Sequence, residues 1–192
     1  MLSLAEIGPA LYGAWRLAHF DADGMRYFDR SLAGFWRSFR VSVLAAPLWV
    51  VILAVNLAQS RIAGGWPRLV VAELIGYVIG WVAFPLAAFY LARLIDRERE
   101  YTGFIVALNW AVLIQLAVMT PAHLIAGTGL LPVGLSLAVV LIAEVATLIY
   151  EWFITRTALR LSSLGAVGFV LVDFVIGVLV NQLAMAEAGV AA

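Results

Sequence analysis

Apolar residues fall into five blocks separated by short polar or Gly/Pro-containing breaks. A bilayer core about 30 Å thick needs roughly 20 apolar residues in a helix. Windows at 41–58, 69–91, 102–120, 130–153 and 164–183 approach or exceed that length with few charges. The breaks match this count. The stretch 59–68 holds Gly64, Gly65 and Pro67, and 96–100 is a compact charged run. Thr120, Pro121, His123, Gly127, Gly129 and Pro132 mark a third connection, and 155–163 holds Arg156 and Arg160 before a Ser-Ser pair. Gly, Pro and clustered charge are the usual punctuation between apolar segments. The expected fold is an all-α membrane protein: five transmembrane helices in a bundle over 41–185, preceded by amphipathic interfacial helices over 1–40 and followed by a short non-cytoplasmic tail, 186–192. No repeat with a period of 20 to 50 residues is present.

The first forty residues carry a different pattern. Leu2, Leu4, Ile7, Leu11, Trp15 and Ala18 recur at helical spacing, and Tyr12, Phe20, Tyr27, Phe28, Phe35, Trp36 and Phe39 add aromatics suited to a headgroup boundary. Asp23 is positioned to cap a second helix running from Gly24 through Trp36 into the first span. Trp15 and Trp36, with Arg26, Arg30, Arg37 and Arg40, are candidate contacts to lipid phosphate. Packing of the same helices on the base of the bundle is an equal alternative.

Composition narrows the functional classes. Of the 192 residues, 65% are hydrophobic and 12% charged, far from the roughly 25% charged of ordinary soluble domains. Twelve basic and twelve acidic residues balance, which speaks against a nucleic-acid partner. Cysteine is absent, so disulfides, thiolate metal sites and cysteine nucleophiles are excluded. His19 and His123 stand alone, without metal-ligand spacing, and no cofactor or metal is expected. No nucleophile elbow, dinucleotide fingerprint or phosphate loop occurs, so an enzyme has little support. Residues 2–17 carry Glu6, Pro9 and Arg16, unlike a cleavable signal, and the first span is expected to serve as the targeting signal.

Arginine distribution sets orientation, because positive charge stays on the cytoplasmic side of short loops. Ten of the twelve arginines fall on one side: Arg16, Arg26, Arg30, Arg37 and Arg40, then Arg93, Arg97 and Arg99, then Arg156 and Arg160. Only Arg61 and Arg68 lie opposite. The expectation is a bacterial inner-membrane protein with a cytoplasmic N-terminus and a periplasmic C-terminus.

A charge at the bilayer centre costs at least about 2.5 kcal/mol, so each intramembrane polar residue requires an account. Glu144, Thr147, Glu151 and Thr155 share one face of the fourth span, and Asp173, Gly177 and Asn181 share one of the fifth. A short connection makes these two helices expected antiparallel neighbours, so the stripes can meet. With Glu73 and Asn109 they form a candidate intramembrane polar network. It is either proton- or cation-responsive, or a set of hydrogen bonds fixing helix register. Asp173 is the most central candidate, expected to face a polar group on another span; Glu151 is placed near an interface and is the weakest. Gly76 and Gly80 form a GxxxG pair suited to close helix packing. Pro47 and Pro85 lie inside spans as expected kinks.

The aromatic start FDADGMRYFDRSLAGFWRSF, Phe20 to Phe39, followed by five closely spaced spans, resembles the YIP family of Rab-interacting multi-span membrane proteins. The stretch YEWFITRTALRLSS, Tyr150 to Ser163, is similar to the end of the fourth span in bacterial membrane proteins without assigned activity. The resemblance implies membrane organisation or scaffolding without catalysis, and no site residue carries over from it. The leading expectation is therefore a non-catalytic scaffold or accessory subunit, in contact with membrane lipids and with another membrane protein or a second copy of itself. The alternative is a small transporter or channel component using the carboxylates, and a membrane-embedded enzyme is third. Reporter fusions at the C-terminal tail and within 59–68 should both read outside, and fusions within 96–100 should read cytoplasmic; an inside signal from the tail would remove a span.

Overall fold

A computed structural model of the chain describes residues 4–58 and 66–188. Leu2, the connection with Arg61, Gly64 and Gly65, and residues 189–192 of the expected tail lie outside the described residues. Among the described residues the elements are helical throughout: α1 (Leu4–Ala18), a 3-10 turn (Ala22–Tyr27), α2 (Leu32–Ser38), α3 (Val41–Ala58), α4 (Trp66–Leu94), α5 (Glu98–Gly127), α6 (Val133–Ala158) and α7 (Ser163–Ala188). Five segments are long and apolar enough to cross a membrane, the first joining α2 to α3 and the others corresponding to α4 through α7. The chain is a polytopic integral membrane protein. Its outer faces agree: Val70, Leu74, Val78, Val82 and Leu86 on α4, and Leu137, Leu141 and Ile142 on α6, are all exposed. An aliphatic exterior of this kind is stable only when hydrocarbon is the solvent.

Three boundaries depart from the sequence reading. Pro121 and His123 belong to α5, not to a connection, because a long helix in lipid tolerates one missing N–H when the rest of its ladder is intact. The connection is 128–132, with Gly129 at φ 68°. Thr155 to Ala158 complete α6, leaving 159–162 as the turn, and α7 continues to Ala188, through part of the expected tail.

The helices α1, α4 and α6 end in the same way. Phe20, Asp96 and Arg160 have φ of 59°, 56° and 53°, and the N–H that follows each bonds back five residues: Asp21 to Arg16, Arg97 to Ala92, Leu161 to Arg156. These are Schellman closures, which usually recruit Gly. All three lie at one end of the bundle, called here the proximal end; the 128–132 turn marks the distal end.

The N-terminal segment is part of the core. The expected capping by Asp23 is replaced by Asp21, whose carboxylate accepts from Asp23 N at 3.0 Å to start the 3-10 turn. Ser31 then caps α2, accepting from Gly34 N at 3.0 Å. An extended stretch therefore separates two short elements where one helix was expected. Ala10, Ala14, Leu17, Met25, Phe28 and Phe35 are buried and join Phe104 to Ala107 and Trp110 of α5 in one apolar cluster. Two glycines make this possible. A Cβ on Gly13 would stand 2.8 Å from the Gly24 carbonyl oxygen, and one on Gly24 would stand 2.6 Å from that of Gly13.

Polar ties hold the segment in place. Tyr150 on α6 donates its hydroxyl to the Ala14 carbonyl at 2.7 Å, and Asn109 on α5 donates to Ser38 Oγ at 2.8 Å. Thr102 donates to the Arg30 carbonyl at 3.0 Å. Arg16 pairs with Asp21 and holds that carboxyl below its ordinary range. Arg37 bridges Glu6 at 3.3 Å and Asp29 at 2.5 Å, while Arg30 donates to the Met25 carbonyl at 2.7 Å. Arg30 and Arg37 thus fasten the segment to itself. Trp15, Trp36, Arg26 and Arg40 point outward.

The Gly24→Ala variant should lose this docking, and Tyr150→Phe should weaken it by about 1 kcal/mol, the value of one buried hydrogen bond. Trypsin cleavage at Arg26 and Arg30 in detergent should accelerate in both, more strongly in Gly24→Ala; unchanged cleavage would contradict the contacts described.

Candidate functional site

Helix α5 occupies the centre, with α3 and α6 packed on it and α4 paired with α7. The turn 159–162 brings α6 back beside α7, as expected, although α7 packs more extensively on α4. Small residues allow these approaches: a Cβ on Gly76 would meet Ala184 Cβ at 3.3 Å. Gly80, the other half of the expected packing pair, has nothing within 4 Å of its Cβ position. Here the missing side chain creates space. Helices α3 and α4 pack through Leu53, Leu57, Leu69 and Ala72 towards the distal end. Deeper in, aromatic groups bridge them: Trp49 and Tyr77 rings lie 4.5 Å apart, and the Tyr77 hydroxyl donates to the Ser42 carbonyl at 2.6 Å.

Between these helices lies a cavity of about 330 Å³. Its polar lining comes from four helices: Glu73 and Tyr77 on α4, Asn109 and Gln115 on α5, Glu151 on α6, and Asp173 and Asn181 on α7. Trp49, Trp81 and Phe84 supply aromatic wall. Among the described residues no basic side chain lines it.

Glu151 and Asp173 carboxyl groups face each other at hydrogen-bonding range. An ionised carboxylate has no donor, so two such groups can be joined by a hydrogen bond only when one of them is protonated. Glu151 is 4% exposed, and its Oε1 is buried with no hydrogen-bond donor from the protein. Glu73 is 7% exposed and its Oε1 is likewise without a donor. Burying such groups unpaired is costly, and neither oxygen is satisfied by a protein donor.

The polar groups form a track along the helix axes. Asp173 is ten residues into α7, about 15 Å from its proximal end at 1.5 Å per residue. Arg68 and Glu187, paired at 3.7 Å, bring the distal ends of α4 and α7 level. The close approach of Gly76 to Ala184 places Glu73, about a turn nearer the distal end, close to Glu187 in height, roughly 20 Å beyond Asp173 along the axis. Gln115 and Asn181 also line the cavity. The track thus spans the distal half of the bundle, from mid-membrane outward. The proximal half is closed by the docked N-terminal segment, whose Ser38 takes the Asn109 amide.

The sequence-derived network is therefore gathered in part. Glu73, Asn109, Glu151, Asp173 and Asn181 share the cavity. Asn109 bonds Ser38 and not a carboxylate, and Glu151 and Asp173 pair with each other and not with a helix-end Arg. Glu151 is deeply buried in the protein, with the N-terminal segment packed against α6 beside it. Glu144 and Thr147 do not line the cavity. Thr147 donates to the Glu144 carbonyl at 2.8 Å within α6, and the half-buried Glu144 lies within electrostatic reach of His123. His123 Nδ1 is 3.0 Å from Asn56 Oδ1, a contact between α5 and α3. Tyr77, Gln115, Trp49 and Trp81 escaped the sequence reading. Tyr77 stands one residue after Gly76 and four before Trp81, an aromatic i, i+4 pair beside the GxxxG motif that was the available signal.

No known family, curated protein or solved structure matched the chain in comparison.

Asp173→Asn should preserve assembly, because the amide keeps size and hydrogen bonding. Asp173→Leu should lower stability in detergent by about 1–3 kcal/mol, since it strands the Glu151 carboxyl against an apolar group. Equal thermal unfolding of the two variants would show that the pair contributes nothing.

Proposed function

We propose that the chain is a small proton-exchanging carrier, or the carrier subunit of a membrane assembly, in a bacterial inner membrane with the N-terminus cytoplasmic. The observation that carries this reading is the membrane-embedded cavity with Glu73 and the Glu151–Asp173 pair on its wall. Carboxyl groups kept together in hydrocarbon are rare outside ion and proton pathways. The polar and charged groups around the cavity favour exchange over permanent pairing. Asn109 and Gln115 on α5 are neutral, Glu144 on α6 adds negative charge near the pair, Glu73 on α4 is acidic at the far end, and among the described residues no Arg lines the cavity to lock an ionised state.

A cargo that brings positive charge into the cavity favours loss of the proton held between Glu151 and Asp173, and departure of the cargo favours its return. That coupling needs no covalent chemistry and no cofactor. With the N-terminus cytoplasmic, the polar track opens the periplasmic half and the docked α1–α2 segment closes the other. Transport then requires this closure to loosen, which is the alternating access of larger carriers on a smaller frame. Five spans make a narrow wall, and a second copy or another membrane protein would complete it. An accessory-subunit role, as the resemblance to the YIP family implies, is compatible with this reading, the exposed Trp15 and Trp36 being available for contact with a partner or with lipid.

Purified protein reconstituted in proteoliposomes containing a pH-sensitive dye should dissipate an imposed pH gradient faster than empty vesicles when cationic solutes are present on the opposite side. Asp173→Asn and Glu151→Gln should each reduce that rate at least tenfold while retaining assembly. Rates equal to empty vesicles across inorganic and organic cations would overturn the carrier reading.

A further inference from the structure

We propose that an anionic phospholipid binds in the furrow between α6 and α7, with its phosphate on Arg156 and Arg160 and one acyl chain laid along the helices below them. The furrow is separate from the cavity, and the proposal does not rest on the carrier reading. Because α7 packs more extensively on α4, the two helices joined by the 159–162 turn do not close on each other along their outer face. They leave an apolar furrow of about 290 Å³, lined by Val145, Leu148, Ile149 and Trp152 on α6 and by Val167 and Leu171 on α7. From Val145 to Trp152 it runs about 10 Å by residue rise. That is two-thirds of the roughly 15 Å that one leaflet contributes to the hydrocarbon, a seat for the upper part of one chain. The indole N–H of Trp152 is already used, donating to the Ser163 carbonyl at 3.0 Å.

The charge above the furrow selects the headgroup. Arg156 stands one turn beyond Trp152, its guanidinium 5.5 Å from the centre of the indole ring, which holds the cation at the mouth of the furrow. A guanidinium stacked on a ring keeps its N–H edge free for the paired oxygens of a phosphate. Arg160 follows in the turn itself and is exposed. Among the described residues neither arginine has an ion pair, whereas Arg16, Arg26, Arg30, Arg37 and Arg93 at the same end of the bundle each have a protein partner. No acidic residue occurs from Trp152 to Val172. Phe20, packed on Phe153 at 5.2 Å, brings Asp21 towards α6, but that carboxylate is taken by Arg16.

Two uncompensated cations over an apolar furrow fit a headgroup of net negative charge. A zwitterionic lipid would place its ammonium group there with no carboxylate to receive it. The distal furrow between α4 and α7 supplies the contrast: Arg68 and Glu187 both line it and pair with each other, so its charge is balanced within the protein.

Delipidated full-length protein in mild detergent, titrated with phosphatidylglycerol or phosphatidylcholine of identical acyl chains and followed by native mass spectrometry, tests this. One phosphatidylglycerol should be retained at least tenfold more tightly than phosphatidylcholine. The double variant Arg156→Gln, Arg160→Gln should lose that preference with unchanged thermal unfolding, and the double variant Arg26→Gln, Arg40→Gln should keep it. Leu171→Trp, which fills the furrow and leaves both cations in place, should weaken phosphatidylglycerol binding several-fold. Excess inorganic phosphate should not displace the lipid; displacement would reveal a surface anion site without a role for the furrow and would overturn the proposal. Equal retention of the two lipids would overturn it as well. So would a preference that survives the loss of Arg156 and Arg160, or one that falls equally with Arg26 and Arg40, since either result means general attraction to a basic face. None of these outcomes depends on proton exchange at the cavity carboxyls.

Discussion

A carboxamide in hydrocarbon must find its partner inside the protein, and Asn109 finds Ser38, a residue that precedes the first fully apolar helix. Much follows from that bond. It draws α2 onto the middle of α5, and the chain before it has to follow. Tyr150 repeats the arrangement from α6 by reaching the Ala14 carbonyl. The N-terminal forty residues therefore do not lie on the membrane as an independent amphipathic segment. They fill the proximal end of the bundle, where Leu17, Phe28 and Phe35 bury against Phe104 and Val106. Apolar association gains little from lipid, which is as apolar as the side chains themselves. Specific polar ties and close glycine contacts determine the docking.

The same arrangement explains why the cavity lies where it does. At the proximal end the space around α5 is taken by the N-terminal segment, and α4 and α7 are displaced to one side as a pair. Among the described residues nothing equivalent fills the space between α3 and α4 below their distal contact at Leu57 and Leu69, and Gly80 withholds the side chain that would begin to do so. Trp49 and Tyr77 bridge what remains. The cavity is thus a consequence of having one more element at one end of the bundle than at the other. The carboxyl groups are tolerated because they line it instead of facing acyl chains.

Length and apolar content made the five spans legible, although the first span, Leu32–Ala58, begins nine residues before the 41–58 window because α2 runs on into α3. Helical periodicity brought Glu151 and Asp173 onto faces able to meet. What stayed hidden depends on tertiary contact. Pro121 reads as a boundary by local preference, yet α5 continues through it because neighbouring helices hold its ladder. The break at 28–31 was obscured by the similar aromatic density on both sides of it. The burial of Glu151 was not legible because it depends on the N-terminal segment that packs against α6 through Tyr150. Asn109 was recognised as polar and buried, but no spacing rule connects it to Ser38, 71 residues earlier. The αL ends at Phe20 and Arg160 carry no Gly to announce them.

The asymmetry between the two halves of the bundle bears on mechanism more than any single residue does. The carboxyl pair is joined by polar groups towards the distal end, so on the proposed carrier reading exchange with the other face requires a rearrangement and not a pore. The element at the proximal end is held by apolar burial against α5 and by individual hydrogen bonds, not by a continuous span of its own. On the carrier reading it is the element that releases, leaving the five spans behind it folded. Its two anchors, Asn109 and Tyr150, are placed so that a change at the site is felt by the closure. Asn109 lines the cavity itself, and Tyr150 is the residue before Glu151 on the same helix. Seating a charge against Glu151 and moving α6 by a fraction of a turn would therefore act on the Tyr150 tie directly, which couples occupancy of the cavity to the state of its far wall.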